Sequence, residues 1–138
     1  MSSFDVLDLF SGSGSISYEF ASRGCRKIHA VEMNPRHTAF IRSTAGKLGF
    51  RQMRVIRDNA FHFLSICKAQ YDIVFADPPY NMPQIDGIPD LILGYDLLKP
   101  DGILILEHSK RNDFTGHEFL LDCRNYGNVH FSFFQRKK

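Results

Sequence analysis

Short apolar runs alternate along the chain with longer stretches whose apolar residues recur every three or four positions. That is the pattern of strands alternating with helices. Phe4 to Phe10 predicts a first strand, stopped by the turn Ser11-Gly12-Ser13-Gly14. Ser15 to Ser22 predicts a helix, with Ile16 and Phe20 four apart on one face and Arg23-Gly24 ending it. Lys27 to Glu32 is a second strand. Asn34-Pro35 starts a helix, a cap residue followed by proline at the first helical position, which runs to about Leu48 and stops at Gly49. Met53 to Arg57 is a third strand, and a helix follows from Asn59 to about Lys68. Tyr71 to Ala76 is a fourth strand, closed at once by Asp77-Pro78-Pro79-Tyr80, since two prolines forbid both ladder and helix. Ile88 to Leu98 predicts a helix, and Gly102 to Glu107 a buried fifth strand. Phe119 to Tyr126 and Val129 to Gln135 flank Gly127-Asn128 as an antiparallel hairpin at the sheet edge.

Strands and helices in alternation imply an α/β fold with a mostly parallel sheet. In such a sheet, ligands collect beyond the carboxyl ends of the strands. The acidic and turn motifs fall at those ends. Gly12 and Gly14 allow tight backbone angles and close approach of a ligand. Glu32 ends strand two, twenty residues after Gly12, where a carboxylate can accept hydrogen bonds from both hydroxyls of a ribose. Asp58 ends strand three, where an adenine ring would lie, with Asn59 beside it and Met33 able to pack on the ring. Asp8 ends strand one and suits a cationic methionine portion, and Phe10 at its mouth is a packing residue that lines the same pocket. A dinucleotide would fit this layout too. The run from Gly12 to Ser17 lacks the third glycine of the dinucleotide fingerprint, however, and Asp8 would repel a pyrophosphate. The sulfonium cofactor S-adenosylmethionine (SAM) is the better match.

Asp77-Pro78-Pro79-Tyr80 then predicts the target. The Asp77 carboxylate and the Pro78 carbonyl accept hydrogen bonds, and the Tyr80 ring offers a stacking face. An aromatic amine is a weak nucleophile because its lone pair is delocalised. Two acceptors gripping its hydrogens free that lone pair and stabilise the charge that develops on nitrogen. Guanine shows two adjacent donors, its ring N1–H and its 2-amino group, which an acceptor-only carboxylate matches. Adenine shows a donor beside an acceptor, although some adenine methyltransferases also use Asp at this place.

Composition adds limits. A chain of 138 residues with 43% hydrophobic and 23% charged residues is one globular domain, spanning 1–138. A net charge of +2 permits nucleic-acid contact without requiring it. Arg51, Arg54 and Arg57, with Arg136, Lys137 and Lys138, are candidate phosphate contacts or a solvated basic face. Cys25, Cys67 and Cys123 have neither disulfide nor zinc spacing, so no metal is expected and free thiols in a reducing cytoplasm are. No signal peptide or apolar span is visible, so no membrane role is expected. His108 reads as a hydrogen-bonded structural residue, and Phe131, Phe133 and Phe134 as sheet packing.

These residues together resemble the RsmD family of bacterial methyltransferases. The marks are Asp8-Leu9-Phe10-Ser11-Gly12-Ser13-Gly14, Val31-Glu32-Met33-Asn34, Asp77-Pro78-Pro79-Tyr80, Glu107-His108-Ser109 and the closing Tyr126-Gly127 hairpin. The resemblance covers nearly the whole chain. It implies a Rossmann-like class I SAM-dependent methyltransferase fold, with a seven-stranded, mostly parallel sheet and an antiparallel C-terminal hairpin strand. It implies SAM held by Asp8, Gly12, Gly14, Glu32 and Asp58, and a guanine held by Asp77, Pro78 and Tyr80 for methylation at N2 in 16S ribosomal RNA. The implied partner is small-subunit RNA already packed with ribosomal proteins, met by a monomer. Family members usually carry a basic N-terminal segment with a short hairpin before the first strand. Here strand one begins almost at Met1, so the expectation is either a fragment or RNA capture through other surfaces. The competing readings are an adenine-N6 or other amino-methyltransferase and a non-catalytic SAM-fold module that binds RNA.

Overall fold

The computed structural model describes residues 3–136. It contains β1 (Asp5–Leu9), α1 (Ser15–Ser22), β2 (Lys27–Glu32), α2 (Pro35–Leu48), β3 (Met53–Arg57), α3 (Ala60–Ile66), β4 (Tyr71–Ala76), a 3-10 turn (Ile85–Gly87), α4 (Ile88–Gly94), β5 (Leu98–His108), β6 (Leu120–Tyr126) and β7 (Val129–Phe134). The seven strands form one sheet in the order β3-β2-β1-β4-β5-β7-β6. β1 to β5 run parallel, β7 is antiparallel to β5, and β6 is antiparallel to β7.

β1 is central, and all five of its residues are buried, as expected for a strand covered on both faces. Successive side chains point to opposite faces of a strand. Val6 and Ile28 pack with Ala21 of α1 on one face. Leu7, Leu9, Val74 and Leu104 pack with Phe63 and Leu64 of α3 and Ile88 and Ile92 of α4 on the other. At the amino ends of the strands, Asp5 pairs with Arg26 and, at 2.9 Å, with Lys99, which also reaches Asp72 at 3.2 Å. That network sits at the edge of the sheet opposite the strands' carboxyl ends.

α2 begins as its sequence predicts. The Asn34 side chain accepts hydrogen bonds from Arg36 N at 2.8 Å and His37 N at 3.3 Å, Pro35 takes the first turn, and Gly49 ends the helix at φ 73°. Two expected helices are shorter than predicted. α3 starts one residue later because Asn59 is its cap, and Cys67 beyond its end is already extended. α4 stops at Gly94, not Leu98. Leu97 and Leu98 continue the apolar helical spacing, but Leu97 N-terminal to the sheet is fully buried and Leu98 pairs with Tyr71 as the first residue of β5. The β4–β5 register then slips, with Ile103 opposite Ile73. Gly102 is required at this irregularity within β5, because a Cβ there would lie 2.9 Å from Lys99 O and 3.0 Å from Tyr71 O. No helix among the described residues is long and apolar enough to cross a membrane.

Leu104 is fully buried at the centre of the larger core, on a strand that reaches the site. Leu104→Ala should lower unfolding free energy by about 2–5 kcal/mol in urea titration. A loss below about 1 kcal/mol would contradict this view of the core.

Candidate cofactor and target cleft

The order of the sheet reverses between β1 and β4, and a cleft of about 650 Å³ opens over the carboxyl ends of the strands there. Its wall brings together Phe10, Gly12, Glu32, Met33, Asp58 and Asn59 from one side and Asp77, Pro78 and Tyr80 from the other. These nine are all sequence-predicted site residues.

Leaving β1, Phe10 adopts a left-handed φ of 60°, and Gly12 and Gly14 follow at 57° and 84°. Such an angle is unusual for a phenylalanine and is held by its surroundings. Ser11 N donates to Val31 O at 3.1 Å, Ser11 Oγ to Asp8 O at 2.8 Å, and Gly14 N to Ser11 O at 2.8 Å. The Phe10 ring meets Phe61 edge to face, with centroids 6.0 Å apart. A Cβ at Gly12 would meet nothing within 4 Å, whereas one at Gly14 would lie 2.8 Å from the Tyr18 ring. Gly14 is therefore a packing and turn residue beneath the cleft, not part of its wall.

Glu32 organises two loops at once. Its Oε1 accepts from Gly12 N at 2.7 Å, and its Oε2 accepts from Asn34 N at 2.8 Å. Each oxygen keeps a lone pair for another donor. His37 Nδ1 lies 3.6 Å from Oε2 at the rim. Asp58 accepts from Asn59 N at 2.8 Å and pairs with His62 at 2.8 Å. Asn59 spends its side-chain oxygen on capping α3, from Phe61 N and His62 N, and turns its amide toward Met33 Sδ at 3.8 Å. Met33 itself is exposed.

Asp8 is buried below the loop and does not line the cleft. Its Oδ2 accepts from Ser17 Oγ at 2.7 Å, and burial pushes its carboxyl up to about 7. Asp77 is also pushed up to about 7, first by burial and then by the charge of Glu107. Glu107, at the end of β5, lines the cleft as well, and Tyr80 Oη donates to its Oε2 at 3.4 Å. Glu107 stands in the sequence as part of a family mark without a role. Its signal was positional, since the end of β5 lies beside the end of β4.

The remaining candidates resolve simply. His108 is 2% exposed; its Nδ1 donates to Ser109 O at 2.8 Å and its Nε2 accepts from Ser132 Oγ at 2.7 Å, so it is structural. Phe134 is core, and Phe131 packs on Tyr126. Arg54 and Arg57 are exposed on the edge strand β3, and Arg51 is exposed in the turn just before it. Arg136 is exposed near the far end of the sheet, and Lys137 and Lys138 lie outside the described residues. Cys25, Cys67 and Cys123 are free, and no metal-binding group occurs among the described residues.

The profile of the family described as Conserved hypothetical protein 95 matches residues 1–135. The chain belongs to this family, the RsmD family. Among curated relatives of this RsmD-family chain, Ribosomal RNA small subunit methyltransferase D of Buchnera aphidicola subsp. Baizongia pistaciae is 30% identical over 101 residues, 73% of this chain and 52% of that protein. Ribosomal RNA large subunit methyltransferase K/L of Shewanella oneidensis is 29% identical over 77% of this chain and 17% of its own length. The chain spans about half the length, or less, of the curated relatives it matches. Among solved structures, a Haemophilus influenzae protein described as a candidate methylase superposes with a TM-score of 0.86 at 26% identity, covering 97% of this chain and 87% of that one. The fold of this RsmD-family chain is that of the class I SAM-dependent methyltransferases.

Between about pH 4 and about 7 the folded chain keeps protons on Asp77 and Asp8 that an unfolded chain has released. Stability should therefore fall as pH rises through that window and level off above it. Asp77→Asn should flatten the fall, by on the order of 1 kcal/mol for this partly solvated group, in urea titrations at pH 5 and pH 8. An unchanged slope would contradict the raised Asp77.

Proposed function

We propose that the chain transfers a methyl group from SAM to the exocyclic N2 amine of a guanine in small-subunit ribosomal RNA. The observation that carries this reading is the meeting, in one cleft, of the Glu32 loops with Asp77, Pro78 and Tyr80. The residues fit SAM. Carboxylates crowd the cleft (Glu32, Asp58, Asp77 and Glu107), which favours a sulfonium and an ammonium over a pyrophosphate. Phe10, Met33 and Phe61 give an apolar slot for a flat ring, and the backbone at Gly12 leaves open space for close approach.

SAM, when bound, supplies an electrophilic methyl group on a positively charged sulfur. Glu32 would accept from the ribose hydroxyls with the lone pairs that Gly12 N and Asn34 N leave over. Asp58 and Asn59 would border the adenine, with Met33 packed on its face. Asp77 and the Pro78 carbonyl would take the two amine hydrogens, and Tyr80, 37% exposed at the rim, would stack on the base. In its anionic form Asp77 offers acceptors only, and its charge would stabilise the positive charge that grows on nitrogen during attack. The exposed arginines of β3 end beside the cleft at Arg57-Asp58 and suit phosphate contacts on an RNA too large to enter it. The family and the names of the relatives support RNA as the methyl acceptor. A non-catalytic module has no need of the paired acceptors at Asp77 and Pro78.

Incubation with radiolabelled SAM and small subunits from cells lacking this gene should yield N2-methylguanosine on nucleoside analysis; N6-methyladenosine would overturn the base assignment. Glu32→Ala should weaken SAM binding about tenfold to a hundredfold in calorimetry. Asp77→Ala should leave SAM affinity near wild type while methylation falls by about a hundredfold or more. Equal loss of both in Asp77→Ala would refute this division of roles.

A further inference from the structure

We propose that Glu107 is a second base-reading group of the target site: it accepts the ring N1–H of guanine while Asp77 holds the amine beside it, and so selects guanine over a base with a bare N1. This rests on the guanine-N2 reading above and deepens it.

The register supplies the geometry. Ala76 pairs with Leu106 on adjacent parallel strands, so the next residues, Asp77 and Glu107, stand level at the carboxyl edge of the sheet. Neighbouring strands are about 4.8 Å apart, and residues at paired positions point to the same side. Both side chains line the same cleft. Leu106 and His108, on either side of Glu107, are buried at 0% and 2% exposure, as alternation requires, which leaves Glu107 as the residue of this strand end that meets the ligand space. Tyr80 Oη donates to Glu107 Oε2 at 3.4 Å, tying the stacking ring to the same carboxylate. One amine hydrogen of guanine and its N1–H leave the same edge of the ring nearly in parallel, while the other amine hydrogen turns toward the Pro78 carbonyl. Two carboxylates side by side are complementary to that edge and to few others.

The electrostatics agree. Two anions so close oppose each other, and Glu107 is one of the causes that hold the Asp77 proton on to about 7. The groups facing Asp77 are Glu107 from β5, Asp8 from β1 and Tyr80 from its own turn. A guanine edge brings a donor to each carboxylate and relieves the repulsion. 2-Aminopurine keeps the same amine but presents a lone pair at N1, which would face the Glu107 carboxylate unsatisfied. An amide at position 107 would instead donate to that lone pair.

The test is methylation of reconstituted small subunits whose RNA carries guanosine or 2-aminopurine riboside at the methylated position. The wild-type chain should prefer guanosine by at least about tenfold in kcat/KM. Glu107→Gln should shrink that preference at least about threefold, and Glu107→Asp should retain it. In Glu107→Gln the acid limb of the guanosine rate should also move to lower pH, by about half a unit or more, because a charge that opposes Asp77 ionisation is gone. A wild-type chain that methylates both RNAs equally would overturn the proposal, as would an unchanged preference with an unmoved acid limb in Glu107→Gln. Failure of the wild-type chain to form N2-methylguanosine on the guanosine RNA would remove the underlying reading, and this proposal with it.

Discussion

One carboxylate holds the site open. Glu32 receives Gly12 N on one oxygen and Asn34 N on the other, so the loop after β1 and the loop after β2 are fixed relative to each other before any ligand arrives. A charged acceptor on backbone N–H groups makes a short, strong hydrogen bond. The loop after β1 needs that support, since it runs through left-handed backbone at Phe10, Gly12 and Gly14. The parallel register does the rest. Because β1, β2, β4 and β5 pair in parallel, their carboxyl ends emerge along one edge, and groups far apart in sequence share a cleft.

The same alignment concentrates negative charge. Glu32, Asp58, Asp77 and Glu107 line the cleft and Asp8 lies under it. A protein buries and crowds carboxylates at a cost, visible in the protons that Asp8 and Asp77 retain up to about 7, held first by burial and then by neighbouring negative charge. The cost is offset when ligands bring positive charge or N–H and O–H donors. A sulfonium cofactor and an amine-bearing base do both. The opposite edge of the sheet handles its charges differently, pairing Asp5 with Arg26 and Lys99, which marks it as structural.

Much of this was legible in the residues. Caps and punctuation were reliable because their chemistry is local. Asn34-Pro35 started α2, Gly49 ended it, and Gly127-Asn128 turned the hairpin between β6 and β7. The cleft residues were legible because parallel topology sends every strand's carboxyl end to one place. Two features were not. Leu97 and Leu98 fit a helix as well as a strand by spacing, and only pairing with Tyr71 decided between them. The partition of Asp8 and Gly14 beneath the cleft, and of Glu107 into it, depends on which face each side chain takes, a matter of packing against Ser17, Tyr18 and Tyr80.

The most direct test is a crystal structure of the chain with S-adenosylhomocysteine bound. The ribose hydroxyls should lie within about 2.6–3.2 Å of the Glu32 carboxylate, with the sulfur turned toward Asp77 and Pro78. A ligand seated elsewhere, such as the cavity between Gln70 and Gly102 at the other edge of the sheet, would contradict it.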